Sequence, residues 1–291
     1  MARYENRYWW SQDGVRLHAR DYPGGGDGRP PILCLPGLTR NARDFAELAE
    51  RLSPDWRVVA PSLRGRGESG YARDPMTYVP LTYVRDADAL LGELGIGRFV
   101  VIGTSLGGIV AMLLAGATRG RMAGALLNDV GPEIMAAGLQ RIRSYVGRAS
   151  SWPTWMHAGR GVAEANAEAY PHFGVGDWLA MAKRLYRLNS AGRIVLDYDL
   201  KIAEPFRVPG GEAGPDMWRA LDALSDIPAL VVRGGRSDVL AAGTAERMVA
   251  RLRRAELVTV PHVGHTPLLT EPELDAPLAR WLGRVREPAA A

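Results

Sequence analysis

Along most of the chain, apolar runs of strand length alternate with longer stretches of helical period, a pattern that predicts a mostly parallel sheet covered by helices. The opening is different. Arg7 to Trp10 and Val15 to Arg20 flank the tight turn Ser11-Gln12-Asp13-Gly14 and read as an antiparallel hairpin. Then come the continuous apolar run Pro31 to Leu35, a helical pattern over Arg43 to Leu52, and the run Trp56 to Ala60 with the glycine-rich turn Leu63 to Ser69 behind it. A helix over Thr82 to Leu94, the strand Phe99 to Ile102, the helix Ile109 to Ala117 and the strand Gly124 to Leu127 complete the first series.

From Gly131 to Pro215 no buried strand is expected; helical pieces, aromatic residues and scattered prolines and glycines predict an inserted helical subdomain. The alternation resumes with Ala229 to Val232, a helix over Thr244 to Leu252, the strand Glu256 to Val260 and a last helix over Glu273 to Val285, and Glu287 to Ala291 reads as a frayed tail. The expected organisation is a core domain of residues 1–130 and 216–291 with an insert of residues 131–215.

One strand-to-helix junction carries chemistry. Gly103-Thr104-Ser105-Leu106-Gly107 has a strand before it and an apolar helix after it. A serine on so sharp a turn needs flanking glycines to relieve crowding, and its hydroxyl then stands at the carboxyl edge of the sheet. The plain alternative is a glycine-rich turn with a helix-capping serine. As a nucleophile Ser105 needs a base, itself oriented by a carboxylate. His265 lies in the loop between the last strand and the last helix, where Gly264 frees the backbone to bring it inward; His262 shares that loop. His18 reads as structural, and His157 and His172 fall in the insert.

For the acid, Asp238 follows the strand Ala229 to Val232 and precedes His265 by one strand-helix unit, giving the chain order Ser105, Asp238, His265. Asp129, which ends the preceding strand, is the alternative. Two N–H donors for an oxyanion are expected from Leu106 and from Leu38, after the turn Pro36-Gly37.

Composition changes little. At 291 residues, with 47% hydrophobic and 23% charged residues, the chain suits one large domain or a core with an insert. A net charge of +4, from arginines scattered along the sequence without a nucleic-acid motif, reads as solvated surface and argues against a nucleic-acid partner. The single cysteine, Cys34, excludes an intramolecular disulfide and reads as a buried, inert thiol. No histidine or cysteine cluster suggests a metal. The start, Met1 to Trp10, lacks a basic segment followed by an apolar one, and no run approaches a membrane span, so the expectation is a cytoplasmic enzyme with no membrane partner. Oligomeric state is silent in the sequence.

Taken together, the motifs LPG at Leu35 to Gly37, LRGRGES at Leu63 to Ser69, GTSLGG at Gly103 to Gly108, SDVL at Ser237 to Leu240, VGHTP at Val263 to Pro267 and TEPE at Thr270 to Glu273 resemble those of the α/β-hydrolase superfamily, across nearly the whole chain outside the insert's interior. Pro36 stands where many relatives have histidine, and Ser62 where relatives often have aspartate. The resemblance implies an α/β fold with an eight-stranded, mostly parallel sheet, helices on both faces, a helical lid between the sixth and seventh strands, and no cofactor. It implies a serine hydrolase of small esters or lactones, with hydrolysis of carbon–carbon bonds in vinylogous diketo acids as the alternative enzyme and a ligand receptor on the same fold as the alternative of another class.

The insert's Trp152, Trp155, Trp178 and Tyr186, with Tyr170, Met156 and Met181, suggest a pocket for an apolar or aromatic small-molecule substrate; equally, these side chains form the insert's own core. Arg40, Arg141, Arg143, Arg148 and Arg184 are candidates to meet a substrate carboxylate.

Overall fold

The inner strands of the sheet are mainly apolar and buried at almost every position, as a sheet covered on both faces requires. The computed structural model describes residues 3–26, 28–118, 120–207 and 215–286. The expected frayed tail, Glu287 to Ala291, lies outside the described residues, and so does most of the stretch leading to the insert's expected end at 215.

The hairpin β1 (Glu5–Trp10) and β2 (Arg16–Tyr22) is antiparallel, and β2 runs antiparallel to β4 (Val58–Ser62). The other pairings of this sheet are parallel, through β3 (Ile32–Leu35), β5 (Phe99–Thr104), β6 (Met122–Asn128), β10 (Ala229–Gly234) and β11 (Ala255–Val260). The result is the expected eight-stranded, mostly parallel sheet, in the order β1-β2-β4-β3-β5-β6-β10-β11.

Successive side chains on a strand point to opposite faces, so each strand feeds two cores. Val59, Val101, Leu127 and Val231 pack with α2 (Pro80–Glu93), α3 (Leu106–Ala117), α7 (Met217–Asp222) and α8 (Ala242–Arg251). Val58, Val100, Leu126 and Leu230 face α1 (Ala46–Leu52) and α9 (Asp275–Arg286), where Trp281 is fully buried. Cys34 is buried on this second side, and burial pushes its thiol far above the ordinary range.

Between β6 and β10 the chain leaves the sheet. It forms α4 (Ala136–Tyr145), α5 (Trp155–Asn166) and α6 (Val175–Leu185), as the helical reading predicts, but it also forms three short strands, β7 (Ser151–Trp152), β8 (Tyr186–Leu188) and β9 (Ile194–Leu196), in a sheet of order β7-β9-β8. The segment is therefore not purely helical. Runs of two and three residues are too short for a period of two to show in sequence. Their hairpin is fixed instead by Asn189, whose side chain accepts the Ala191 and Arg193 amides. The segment is tied to the region around α1 by Arg184, which bonds Glu47 at 2.6 Å, and by Arg43, which pairs with Asp197.

The glycine-rich turn after β4 is organised by buried arginines. Arg64 donates to both carboxylate oxygens of Asp86 on α2, each at 2.7 Å, and to Asp13 in the opening hairpin turn at 2.6 and 2.9 Å. The hydrogen bonds from Arg64 hold the Asp13 carboxyl well below the usual carboxylate range.

Candidate active site

Ser105 occupies the turn between β5 and α3 with φ of 52°, a backbone conformation that costs a non-glycine residue of order 1–3 kcal/mol and persists only where its surroundings enforce it. Two contacts enforce it. The Ser105 amide donates to the Asn128 carbonyl at the end of β6, at 2.9 Å, and Gly107 lies so close to β3 that a Cβ there would sit 2.0 Å from the Leu35 carbonyl oxygen. The strand-to-helix turn anticipated from GTSLG is thus held by both neighbouring strands.

His265 Nε2 lies 2.9 Å from Ser105 Oγ, and its Nδ1 lies 2.8 Å from Asp129 Oδ2. A carboxylate only accepts, so Nδ1 carries the proton towards Asp129 and Nε2 is left to accept from the serine hydroxyl. The His265 side chain is 9% exposed and Asp129 is fully enclosed. The second Asp129 oxygen accepts the Gly234 amide at 2.9 Å, and the Asp129 amide donates to the Val232 carbonyl at 2.8 Å.

This arrangement corrects the expected acid. Asp238 does not bond His265; it accepts two hydrogen bonds from Arg141 on α4, at 2.5 and 2.8 Å, and these hold its carboxyl below the ordinary range. The reason lies in the backbone. Because β6 is hydrogen-bonded beside β5, its last turn is already next to Ser105, and the left-handed conformation of Asp129 (φ 56°) turns its side chain towards the histidine. Asp238 comes later in its loop, after Ser237, whose hydroxyl accepts the Val239 and Leu240 amides.

The other histidines lie elsewhere. His262 is exposed, and His18 is buried on β2 beside Asn6 at 2.8 Å. His157 and His172 are on the surface of the insert.

Leu38 lines the cavity on the turn after β3, and Leu106 opens α3. Among the described hydrogen bonds, neither amide has an acceptor. Sequence reasoning missed what holds the Leu38 segment: Arg66, wholly buried, donates from Nε to the Leu38 carbonyl at 2.9 Å and from Nη1 to the Arg64 carbonyl at 2.6 Å. The Leu63–Ser69 turn was legible, but not that its second arginine turns inward. Tyr170 was also missed in this role. Its hydroxyl donates to the Thr266 carbonyl at 2.7 Å and accepts the Thr266 amide at 3.2 Å, which clamps the peptide next to His265, and burial pushes its pKa up to about 12.

Ser105 and His265 open into a cavity of about 550 Å3 between the sheet edge and the insert, a size suited to a small organic molecule. Of the expected pocket residues, Arg40, Tyr170, Met181 and Tyr186 line it, and Met156 does not. Trp152, Trp155 and Trp178 do not; they pack with Ala158, Val162 and Met181 as the insert's own core. The rest of the wall comes from residues that were not expected there, among them Ile142, Tyr145, Leu185, Leu196 and Tyr198. Among the described residues no group of three or more His, Cys, Asp or Glu side chains is placed to hold a metal ion, and no helix is long and apolar enough to cross a membrane.

The comparisons agree with this architecture. The 3-hydroxybutyrate-oligomer hydrolase of Cupriavidus necator is 35% identical over 267 residues, 88% of this chain and 90% of that protein. The crystal structure of an α/β hydrolase from Novosphingobium aromaticivorans is 56% identical, with a TM-score of 0.92 over 98% of this chain and 99% of that one. A pimeloyl-[acyl-carrier protein] methyl ester esterase of Aromatoleum aromaticum is 29% identical over 84% of this chain and 94% of its own length. The profile of the Alpha/beta hydrolase family matches residues 32–274, and the chain belongs to that family.

Proposed function

We propose that this hydrolase cleaves a carboxylic ester or lactone through an acyl-enzyme on Ser105. The observation that carries the reading is the continuous hydrogen-bonded line from Ser105 Oγ through His265 to the enclosed Asp129, opening into the cavity. His265 Nε2 takes the hydroxyl proton as Ser105 Oγ attacks the carbonyl carbon, and Asp129 stabilises the imidazolium. The Leu38 and Leu106 amides donate to the oxyanion. The imidazolium then protonates the departing alkoxide, and a water, activated by the same histidine, releases the acid and restores the serine. The insert, residues 131–215, acts as the lid over this site.

Ester chemistry is supported by the relatives: one is named for an oligomer of a hydroxy acid, another for a methyl ester. Ser105→Ala is expected to fold normally and to lose about 10,000-fold or more in ester turnover. A fluorophosphonate is expected to label the wild-type protein at Ser105. Retained turnover in the variant overturns the nucleophile. A wild type that is labelled but turns over a vinylogous diketo acid rather than any ester makes the enzyme a carbon–carbon bond hydrolase, and one that is neither labelled nor active favours the receptor reading.

A further inference from the structure

The charges around the cavity do not balance. Its lining includes three guanidinium groups, Arg40, Arg141 and Arg148, and one carboxylate, Asp44. Arg40 is engaged by Asp44 through two hydrogen bonds, one of them 2.8 Å, and Arg141 by Asp238. Arg148 is exposed, and among the described residues its guanidinium has no acceptor.

The backbone that presents Arg148 is fixed. The turn ending α4 passes through buried Val146 and Gly147, whose φ is 78°, and the Arg148 amide donates to the Tyr145 carbonyl at 3.1 Å. A Cβ at Gly147 would meet the Ala203 side chain at 2.5 Å, so the turn is packed against its neighbours as well. Two residues on, Ser150 also lines the cavity, and its hydroxyl has no hydrogen-bond partner. The surrounding wall is aliphatic and phenolic, from Ile142, Val162, Leu185, Leu196 and Tyr198.

We propose that Arg148, assisted by the Ser150 hydroxyl, binds a carboxylate of the substrate, so that the preferred substrates are short aliphatic esters carrying a free carboxylate away from the scissile bond. This rests on the ester-hydrolase reading above. A planar guanidinium fork matches a carboxylate, and a charge-assisted pair bordered by apolar wall is stronger than one in open water. The two paired arginines are already neutralised, so the site supplies one positive charge for one negative charge.

The test compares mono-4-nitrophenyl glutarate with its neutral methyl ester, which share the acyl carbon chain and the leaving group and differ at the distal carboxyl. In the wild type the charged ester is expected to have the higher kcat/KM, by about tenfold or more. Arg148→Gln is expected to lower the charged-to-neutral ratio at least about tenfold, mainly through KM, with Arg148→Lys intermediate. Ser150→Ala lowers the ratio by less. Arg143→Gln, at an arginine of α4 that does not line the cavity, leaves the ratio where it is. A wild type that prefers the neutral ester, or a ratio within about twofold of wild type in Arg148→Gln, overturns the proposal. If neither ester is turned over, the ester reading is left to its own test above, and the subsite is decided separately by titrating glutarate into the wild type and Arg148→Gln: weaker binding to the variant supports it, and equal binding overturns it.

Discussion

The turns after β6 and β10 each carry an aspartate at the same edge of the sheet, and they treat it in opposite ways. Asp129 is enclosed and holds both a backbone amide and His265. Asp238 is a third exposed and faces an arginine of the insert. The difference shows that a strand's place in the sheet outweighs the order of residues along the chain. The turn after β6 is hydrogen-bonded directly to the turn that carries Ser105, through the Ser105 amide and the Asn128 carbonyl, while the turn after β10 lies one strand further out.

The largest expected effect tests this contrast directly. Asp129→Asn removes the acceptor that fixes the His265 tautomer, and kcat/KM for an aryl ester is expected to fall about 1,000- to 10,000-fold. The stability change is read separately by urea unfolding, because the amide of asparagine still offers one oxygen to Gly234. A loss of that size in Asp238→Asn, with little change in Asp129→Asn, reverses the roles of the two turns.

How much of this was legible in the sequence follows from the same contrast. Ser105 and His265 were readable because their signals are local: a glycine pattern at a strand-to-helix junction, and a glycine before a histidine in the last loop. The inner strands were readable because short continuous apolar runs such as that of β3 are hard to place elsewhere, and β1 and β2 because a tight turn separates them. Choosing between Asp129 and Asp238 needed the strand order, which is set by pairing between segments distant in sequence. The insert was least legible. Trp152, Trp155 and Trp178 have the composition of a pocket and the packing of a core, and composition cannot separate the two. The two- and three-residue strands β7, β8 and β9 left no period to read.

A smaller effect tests how the insert serves the sheet edge. Tyr170→Phe deletes the hydroxyl that clamps the peptide beside His265 from both sides. A hydrogen bond of this kind has a net worth of about 0.5–1.5 kcal/mol, so kcat is expected to fall roughly 2- to 10-fold. A positioning role predicts that the fluorophosphonate labelling rate of Ser105 falls with kcat. A fall in the unfolding midpoint with labelling and kcat unchanged would make Tyr170 a packing residue only.

The smallest effect belongs to Asp238. Asp238→Asn frees Arg141 but leaves the line from Ser105 to Asp129 intact, and kcat/KM is expected to change by less than about fivefold. The ion pair has its own signature. Hydrogen bonds from Arg141 hold the Asp238 carboxyl below its unfolded value of about 3.9, so between the two values the folded state binds fewer protons than the unfolded one. The stability this pair contributes is present above about pH 4 and is lost as pH falls through the folded value. Both partners are partly exposed, the arginine 41% and the aspartate 33%, so the contribution is about 0–1 kcal/mol. The urea midpoints of wild type and Asp238→Asn should therefore differ slightly at pH 6 and converge towards pH 3; a gap that widens in acid would mean that the pair does not depress the carboxyl and that Asp238 faces a different partner in solution.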